Sequence, residues 1–301
     1  MYDMTKIYKS IQILDWSKPL PLSFQYKGLD FYPIWRKGYI VKYQCEDHLG
    51  LRHTILPGRY VIENSLHKAY NKMTGGSGNY NHFNYEQVCI VVNFLVQQYG
   101  FSLEKVHVTK LEIGVNIEVD HAPMNYIKKL KRVQFTKEPV LMRNKNIVYG
   151  KKVPLSQFDF KLYDKTHQTY YQNRKKIDQN IIRFELAYNN ITGIKRYAAT
   201  LADLVNLDNY IALTDILHER FTSLYFYSEY DLSILTSREL DAYYAGSHVD
   251  YWSYLKHVNK NTAATKRRKY EKMMRALEPR ASDKLLLELR LKCRNKIYEL
   301  I

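Results

Sequence analysis

Three segments of the chain alternate apolar and polar residues with the two-residue period of a β-strand. The longest is HVTKLEIGVNIEVD, in which apolar residues occupy every second position from Leu111 to Val119. The segments FDFKLYDK and IIRFELAY repeat this pattern. Strands of this kind pack the apolar face on a core and turn polar groups the other way, as is common in antiparallel sheets. The alternation therefore predicts an antiparallel sheet with one polar face.

The rest of the chain adds helices to this sheet. Residues 1–65 indicate short strands separated by turns, NYEQVCIVVNFLVQQYG predicts a helix that stops at Gly100, and PMNYIKKLKRV predicts another helix. Beyond residue 200 the segments are mostly amphipathic and helical, with Thr or Ser at their starts. We expect an α+β fold in which residues 1–200 form a sheet core with flanking helices and residues 201–301 form a helical, basic region.

The charge of the chain favours a polyanionic partner. The sequence has 46 Lys and Arg against 30 Asp and Glu, which gives a net charge of +16 and a pI near 9.4. Nucleic acid is the simplest partner of this kind, and an anionic membrane surface is the other. Since some strongly basic proteins have neither partner, the charge alone leaves both open.

Targeting and membrane signals are missing from the sequence pattern. The longest apolar run, VCIVVNFLV, is about half the length that a bilayer span requires, and MYDMTKIYKS lacks the apolar core of a signal peptide. Cys45, Cys89 and Cys293 follow neither a metal-binding spacing nor a disulfide framework. We expect an intracellular protein with no membrane partner.

The polar sides of the three alternating segments carry residues that could act together. They are Glu112 and Asn116 in the first segment, Asp159, Lys161, Tyr163 and Lys165 in the second, and Arg183 and Glu185 in the third. If the three strands are neighbours, two carboxylates and a tyrosine converge, and such oxygen ligands suit Mg²⁺ or Mn²⁺. The alternative is a solvated face on which lysines and glutamates only pair with one another, and alternation by itself favours that alternative.

A tyrosine beside such an ion is a recognisable nucleophile for phosphodiesters. A phenol with a pKa of ~10 is about 0.1% ionised at pH 7, so it needs activation. A bound metal ion makes a phosphate a better electrophile, and Lys165 could lower the pKa of the phenol or neutralise the charge that develops on phosphorus. The product would be a phosphotyrosine that conserves the energy of the broken bond.

Two further segments suit contact with a phosphate backbone. In SLHKAYNKMTGGSGNYNHF, His67 and Lys68 precede a loop of glycines and asparagines that includes Asn79 and can approach a backbone closely. The glycines match no nucleotide-binding pattern, and His67 could equally be a surface or capping residue. Besides Lys161, the candidate phosphate contacts include a cluster in TAATKRRKYEKMMRAL: Lys266, Arg267, Arg268, Lys269 and Lys272. A solvated basic helix is the alternative for this cluster.

Taken in order, several short segments resemble the replication initiators of filamentous phages, the gene II/X family, and more distantly the trans-acting Rep proteins of rolling-circle plasmids. The segments are MYDMTKIY, SLHKAYN, GGSGNYNHF, KLEIGVNIEV, KLYDK and IIRFEL. Each segment is common by itself, and their order makes the resemblance more specific. The similarity spans residues 1–200, and a weaker similarity extends into the basic C-terminal helices.

The resemblance implies an HUH-like Rep nuclease fold and the activity of a metal-dependent, site-specific nickase. It places the nucleophile on Tyr163, an adjoining lysine on Lys165, a strand acid on Glu112, and an Arg-Phe-Glu pair on Arg183 and Glu185. The metal ligands expected from the resemblance are Glu112, Glu185 and Asn116.

The chain departs from the family pattern at several positions. Glu112 stands where Asp is more usual, and Lys110 stands where Arg is more usual. A His-hydrophobic-His motif is absent, so a metal ion cannot be held as in most HUH enzymes. Asn116 occupies the position where the plasmid relatives suggest a second acid, which leaves the ligand set open. Two nearby tyrosines, Tyr170 and Tyr171, remain alternatives as the nucleophile.

Together these expectations describe a phage or plasmid rolling-circle replication initiator. With Mg²⁺ or Mn²⁺ it would nick and rejoin origin DNA through a 5′-phosphotyrosine and leave a 3′-OH primer. It would act in the cytoplasm of a bacterial host, beside a host helicase and polymerase. Two alternatives stay open: a mobilisation relaxase with the same chemistry, and a non-catalytic origin-binding or regulatory protein.

Overall fold

The central feature of the fold is a large antiparallel sheet. The computed structural model describes residues 1–133, 138–227, 230–277 and 283–301, and thirteen strands lie within these ranges. The strands are β1 (Tyr2–Ser10), β2 (Phe24–Tyr26), β3 (Leu29–Arg36), β4 (Tyr39–Glu46), β5 (Arg52–Leu56), β6 (Arg59–Ser65), β7 (Val106–Glu118), β8 (Leu130–Val133), β9 (Val140–Asn144), β10 (Ile147–Pro154), β11 (Asp159–Asp164), β12 (Ile181–Tyr188) and β13 (Leu224–Phe226).

Eleven of these strands form one sheet, in the order β2-β3-β4-β5-β6-β1-β7-β12-β11-β10-β9, while β8 pairs with β13. Every neighbouring pair is antiparallel. The three alternating segments of the sequence are β7, β12 and β11, and they lie side by side as the seventh, eighth and ninth strands of the sheet. The condition under which their polar residues can converge, that the three strands are neighbours in one antiparallel sheet, is therefore met.

Eleven α-helices lie in the same described ranges. They are α1 (Leu66–Met73), α2 (Tyr85–Tyr99), α3 (Pro123–Ile127), α4 (Lys165–Asn173), α5 (Lys195–Ala198), α6 (Leu201–Leu204), α7 (Leu207–Thr222), α8 (Ser237–Gly246), α9 (Val249–Val258), α10 (Lys260–Ala276) and α11 (Lys284–Tyr298). Across the described ranges, no helix has both the length and the apolar character that a membrane crossing needs. The architecture is therefore a mixed α+β fold whose C-terminal part is helical, as predicted.

The apolar face of the central strands packs on helices. Ile113 and Val115 of β7, Phe184 of β12 and Leu162 of β11 are all buried, and Phe184 lies opposite Val115 and Leu162 in the two ladders. Helices α7 and α11 contact this part of the sheet and bury their own apolar residues in the same core. The main apolar core therefore lies on one side of β7, β12 and β11 and leaves their other side for polar groups.

Part of the helical C-terminal region forms a second apolar cluster. Tyr230 packs with Tyr270, Met273 and Met274 of α10, and Trp252 of α9 packs against this cluster. Helix α10 contacts α8 and α9, whereas α7 and α11 belong to the main core. The helices after residue 200 therefore contribute to both clusters.

Several local predictions are confirmed. Helix α2 spans the predicted segment, is capped by the Asn84 side chain, and ends at Gly100 in the left-handed conformation with a φ of 61°. Strand β11 ends at Asp164, whose side chain accepts a hydrogen bond from the His167 amide at 2.8 Å and caps α4. The end of the predicted basic helix, residues 278–280, lies outside the described residues.

One local prediction was wrong. The segment PMNYIKKLKRV forms only the short helix α3, because Leu130–Val133 pairs with β13 as strand β8. A partner distant in sequence decided the local structure, and no pattern within the segment revealed it.

The position of the core can be tested with two isoleucines on strands. Replacing Ile113 by Ala, in the buried face of β7, should lower the free energy of unfolding by about 2–5 kcal/mol because it leaves a cavity. The matched change Ile147→Ala lies on β10, where the side chain is 49% exposed, and should cost less than about 1 kcal/mol. Chemical denaturation measures both values, and equal losses would contradict the assigned core face.

Candidate active site on the polar face of the sheet

The register of the central strands places the predicted residues on one face. Arg183 of β12 lies opposite Tyr163 of β11 and Asn116 of β7. Two residues further along β12, Glu185 lies opposite Lys161 of β11. Directly opposed residues in an antiparallel ladder project to the same side, and so do residues two apart on one strand. The polar face of the sheet therefore brings together the side chains that the three segments carry.

A glycine makes room for this arrangement. Gly114 of β7 lies opposite Glu185, and a Cβ added to Gly114 would lie 2.7 Å from the Phe184 carbonyl oxygen and 3.3 Å from the Glu185 Cα. Any side chain at this position would force β7 and β12 apart. The glycine therefore lets the two strands approach closely beneath the carboxylate of Glu185.

The first strand contributes an acid that the sequence analysis missed. Asp3 of β1 is buried and lies where the pairing of β1 with β7 is irregular, between Tyr2 and Thr5. Its Oδ2 accepts hydrogen bonds from Arg183 at 3.0 Å and from Asn79 at 2.6 Å. The sequence pattern that could have identified Asp3 is its spacing in MYDMTKIY. It lies two and four residues before Thr5 and Ile7, which are also buried.

Three carboxylates meet on this face. One oxygen from each of Asp3, Glu112 and Glu185 lies within 4.8 Å of the others. Asp3 and Glu185 are buried, and Glu112 is half-buried. This buried acidic cluster could hold a metal ion, since carboxylate oxygens are the ligands that hard divalent cations prefer.

Two cations of the protein already neutralise the three acids. Lys161 Nζ lies 2.9 Å from Glu112 Oε1 and 2.9 Å from Glu185 Oε1. Arg183 contacts Glu185 Oε2 through Nε at 3.1 Å and Asp3 Oδ2 at 3.0 Å. In this arrangement the ammonium of Lys161 bridges two of the three candidate ligands, so an ion that used both glutamates would have to replace it.

The surroundings of the two glutamates raise the pKa of Glu112 and lower the pKa of Glu185. Burial raises the pKa of Glu112 above its usual range, and the negative charge of Glu185 raises it further. Burial would also raise the pKa of Glu185, but Arg183 and Lys161 hold the pKa of that carboxyl well below its usual range. The two carboxyl groups therefore titrate as a pair in which the ionised form of Glu185 is favoured.

Tyr163 lies against this cluster with its hydroxyl engaged. The Tyr163 hydroxyl donates a hydrogen bond to Glu185 Oε2 at 3.0 Å, and the side chain is buried. Burial raises the pKa of the Tyr163 phenol well above its usual range, and Glu185 raises it further, while Arg183 opposes this rise. The phenol is therefore protonated at neutral pH. The sequence analysis suggested that Lys165 could lower the pKa of this phenol, but the pKa is raised, and the positive charge that opposes the rise is that of Arg183.

Lys165 is a buried amine beside the phenol. It starts α4, its Nζ lies 5.9 Å from the centre of the Tyr163 ring, and it donates a hydrogen bond to Gln168 at 2.8 Å. Burial lowers the pKa of Lys165 to about 7, and the positive charge of Arg183 contributes to this lowering. A large fraction of Lys165 is therefore neutral at pH 7 and can accept a proton.

The loop after α1 holds the site from one side. Asn116 donates hydrogen bonds to the main-chain oxygens of Asn79 and Asn81 at 3.0 and 3.2 Å, and its Oδ1 accepts one from Arg183 at 2.9 Å. The predicted metal ligand Asn116 is thus engaged with the loop and Arg183, and Asp3 supplies the third acid. His67 stacks on Phe83 with ring centroids 4.7 Å apart and contacts Asn81 Oδ1 at 2.7 Å.

Burial separates the predicted DNA contacts into two groups. His67 and Asn79 are buried, and burial lowers the pKa of His67 to about 3, so both side chains support the loop and offer no surface to a DNA strand in this conformation. Lys68 and Lys161 are half-buried. On α10 the exposed members are Lys266, Arg268, Lys269 and Lys272, whereas Arg267 is half-buried and pairs with Glu271 at 2.8 Å.

No protein-family model matches the chain, and no curated protein matches it either.

The shifted pKa of Lys165 predicts a pH-dependent stability. Its folded pKa of about 7 lies below the unfolded value of 10.5, so the buried charge costs most below pH 7 and the cost fades as the pH rises towards 10.5. Lys165→Met should therefore raise the free energy of unfolding by on the order of 3 kcal/mol at pH 6 and by much less at pH 9.5.

Urea denaturation at the two pH values measures this difference. Lys152→Met on β10 is the matched control, because Lys152 pairs with Asp159 at 2.7 Å with 36% of its side chain exposed and should change stability by less than about 1 kcal/mol at both pH values. A gain for Lys165→Met that does not depend on pH would contradict the lowered pKa.

Proposed function

We propose that this protein is a metal-dependent, site-specific DNA nickase and strand transferase that initiates rolling-circle replication of a phage or plasmid. The observation that carries the proposal is the Tyr163 hydroxyl, which is hydrogen-bonded to Glu185 at the edge of a three-carboxylate cluster. A buried nucleophile candidate, a divalent-cation ligand set and a net charge of +16 are together what phosphodiester transfer needs. The HUH-like Rep fold belongs to the same proposal.

In the proposed reaction Tyr163 attacks a phosphodiester of origin DNA. A bond forms between the Tyr163 oxygen and phosphorus, and the bond from phosphorus to the 3′ oxygen breaks. The 3′ oxygen leaves and takes up a proton, and the 5′ phosphate stays on the tyrosine. The reverse reaction, in which a 3′ hydroxyl attacks the phosphotyrosine, rejoins the strand.

The chain's own groups can handle the proton of Tyr163. Glu185 accepts the hydrogen bond of the phenol but is held ionised by its cation partners, which makes it a weak base. Lys165 lies over the same ring, and its pKa of about 7 suits a group that takes up and returns a proton near neutral pH. In the proposal, Glu185 orients the phenol, and Lys165 takes up the proton after its side chain leaves Gln168 and moves to within hydrogen-bond distance of the phenolic oxygen.

The donor set fits Mg²⁺ or Mn²⁺. Asp3, Glu112 and Glu185 would hold the ion, which would polarise the scissile phosphate and favour ionisation of the phenol. Because Lys161 bridges the two glutamates, its side chain would swing towards the open side of the site, where an ammonium can meet a phosphate. Arg183 and Asn116 position the acids and the loop.

An open groove next to Glu112 provides a path for the DNA strand. A cavity of about 290 Å³ is lined by residues of β1, β5, β6, β7 and β12, among them Glu112, Lys6, Arg52 and Lys110. Lys110 is exposed, and the other two cations share Glu63. Cations along a groove that ends at a carboxylate cluster suit a phosphate backbone that enters from this side.

A specific observation also favours a second candidate, a non-catalytic origin-binding protein. Each of the three acids is already paired with Lys161 or Arg183, and Tyr163 is protonated and buried. Such a balanced cluster could serve stability alone. Host helicase and polymerase partners belong to the replication proposal and would be absent from this alternative.

The nucleophile is tested by replacing Tyr163 with Phe. The DNA substrate is a supercoiled plasmid that carries the region flanking the gene for this chain, incubated with Mg²⁺ or Mn²⁺. Wild type should nick it and leave a 5′-linked protein adduct, and Tyr163→Phe should lose both by more than about a thousandfold because no phenolic oxygen remains.

Tyr170→Phe is the matched control for this experiment. Tyr170 lies on α4 with 50% of its surface exposed, and the variant should nick within about threefold of wild type. Adduct formation that persists in Tyr163→Phe and disappears in Tyr170→Phe would move the nucleophile to Tyr170. Origin binding without nicking by wild type would favour the non-catalytic candidate.

The basic helix is tested by the salt dependence of DNA binding. Each phosphate contact contributes about 0.9 to the slope of log affinity against log salt concentration. The triple change Lys266→Gln, Arg268→Gln and Lys269→Gln, at exposed positions of α10, should therefore reduce that slope by about 2–3. Fluorescence anisotropy with a labelled duplex at several salt concentrations measures it.

A control triple removes the same charge elsewhere. Lys27, Arg36 and Lys37 are exposed in the hairpins of β2, β3 and β4, and their change to Gln should leave the slope unaltered. If the two triples reduce the slope equally, net charge and not α10 drives binding.

A further inference from the structure

Helix α10 has a free face that carries charge of one sign. The exposed charged residues of this helix are all cations: Lys260, Lys266, Arg268, Lys269, Lys272 and Arg275. Its single acid, Glu271, is half-buried and pairs with Arg267 at 2.8 Å. Among the described residues, only one of the six exposed cations meets an acid, since Arg275 lies 3.6 Å from Glu219. The free face therefore carries a positive charge that the described residues leave almost uncompensated.

The opposite side of α10 is packed against its neighbours. Tyr270, Met273 and Met274 are buried, and α10 contacts α8 and α9. Gly246 at the end of α8 makes room for this contact, since a Cβ there would lie 2.3 Å from a ring carbon of Tyr270. The side chain of Asn259 caps the start of the helix. Helix α10 is therefore held on one side and presents the other side to solvent.

A row of polar side chains runs along the middle of the free face. The exposed members of this row are Asn261, Thr265, Arg268 and Lys272. Their spacings of four, three and four residues place them one above the other on a single side of the helix. From the first member to the last, the row extends over roughly 16 Å at the rise of an α-helix. It therefore includes an amide, a hydroxyl and a guanidinium as well as an ammonium.

Cations flank this row on both sides. With about 100° between successive residues of an α-helix, Lys266 and Lys269 lie on one side of the row, and Lys260 and Arg275 lie on the other. Lys266 and Lys269 are three residues apart, and like charges at this spacing destabilise a helix. An anionic partner would replace this repulsion by attraction, so the charge of the free face suits a polyanion.

The shape and the side chains of the free face match the major groove of duplex DNA. The groove is about 12 Å wide and admits an α-helix. A helix placed in it turns the middle of its free face to the base edges and its flanks to the phosphates of the two strands. Asparagine recognises adenine and arginine recognises guanine, each through two hydrogen bonds. An anionic membrane surface would use the cations alone and would leave Asn261 and Thr265 without a partner.

We propose that α10 binds in the major groove of a duplex recognition site, where Asn261 and Arg268 contact base edges and the flanking cations bind the phosphates of both strands. The helix gives the protein a sequence preference on double-stranded DNA, at a site apart from the strand that Tyr163 would attack. This inference rests on the DNA binding that both candidate functions share, and it does not depend on Tyr163 as the nucleophile.

The experiment compares the duplex sequences that the protein and its variants select. A library of duplexes with randomised sequence is enriched separately on wild type, on Arg268→Lys, on Asn261→Ala and on two controls, and the bound duplexes are sequenced. Arg268→Lys keeps the positive charge and removes the guanidinium that can form two hydrogen bonds with one guanine. The matched controls are Arg238→Lys, exposed on α8, and Asn295→Ala, exposed on α11.

Wild type and both controls should enrich one shared motif. The preference at one base pair should fall about fivefold or more in Arg268→Lys, and the preference at another should fall as much in Asn261→Ala, while the other positions stay unchanged. Tyr163→Phe should enrich the wild-type motif, because its side chain lies on the polar face of the sheet and not on α10. Thermal melting confirms that each variant is folded.

The outcomes separate this proposal from the nickase proposal. Wild type that enriches no duplex motif overturns the recognition site, whether or not Tyr163 is the nucleophile, and so does a motif that stays unchanged in both Arg268→Lys and Asn261→Ala. Binding of wild type to phosphatidylglycerol vesicles in place of any duplex motif assigns the free face to a membrane surface and also overturns it. A motif that depends on Arg268 or Asn261 in a protein that nicks no DNA keeps the recognition site and rejects the nickase.

Discussion

The buried guanidinium of Arg183 is the interaction on which the polar face depends. It contacts Glu185 on its own strand, Asp3 on β1 and Asn116 on β7, and so ties three strands of the sheet together. A guanidinium is the suitable cation here, because it stays charged when buried and presents several donors in fixed directions. Removing it would leave Asp3 and Glu185 as uncompensated buried charges, which is far more costly than the loss of a surface pair.

The same interaction explains why the acids can lie so close to one another. Three carboxylates within 4.8 Å would repel strongly if the protein supplied no cations, and Arg183 and Lys161 provide two. Because three carboxylates face only two cations, the negative charge of Glu185 adds to burial in raising the pKa of Glu112. The cluster is therefore nearly neutral in this state, and the partly exposed Lys161, with 20% of its side chain accessible against 3% for Arg183, is the cation that can leave most easily.

Alternation made the centre of this fold predictable from the sequence. In β7, β11 and β12 each strand has one apolar face, so the side that carries Glu112, Tyr163 and Glu185 followed from a period of two. Asp3 shares the phase of the buried Thr5 and Ile7, but its approach to Arg183 and Glu185 depends on an irregular pairing of β1 with β7 that alternation does not describe. The loop contacts of Asn116 and the strand β8 were likewise set by partners distant in sequence.

The position of Tyr149 escaped prediction for a related reason. In the pairing of β9 with β10, Tyr149 is an extra residue, a β-bulge. By simple alternation Tyr149 would lie on the opposite face from Gly150, and the bulge brings its ring to 6.3 Å from the ring of Tyr163. A bulge is a single-residue event, so a periodic signal does not contain it.

Tyr163 lies opposite a glycine of β10 and two residues before the start of α4. Gly150 opposite it has no side chain, and a Cβ there would lie 2.4 Å from the Cβ of Tyr163, so the strand pair closes tightly and holds the ring in place. One residue later the strand ends and α4 begins with the buried Lys165. A rigid strand fixes the phenol against the acids, while the start of α4 places the amine of Lys165, whose pKa burial lowers to about 7, 5.9 Å from the centre of the ring. A tyrosine placed only for packing would need neither the glycine nor the buried lysine, and burying a lysine costs stability.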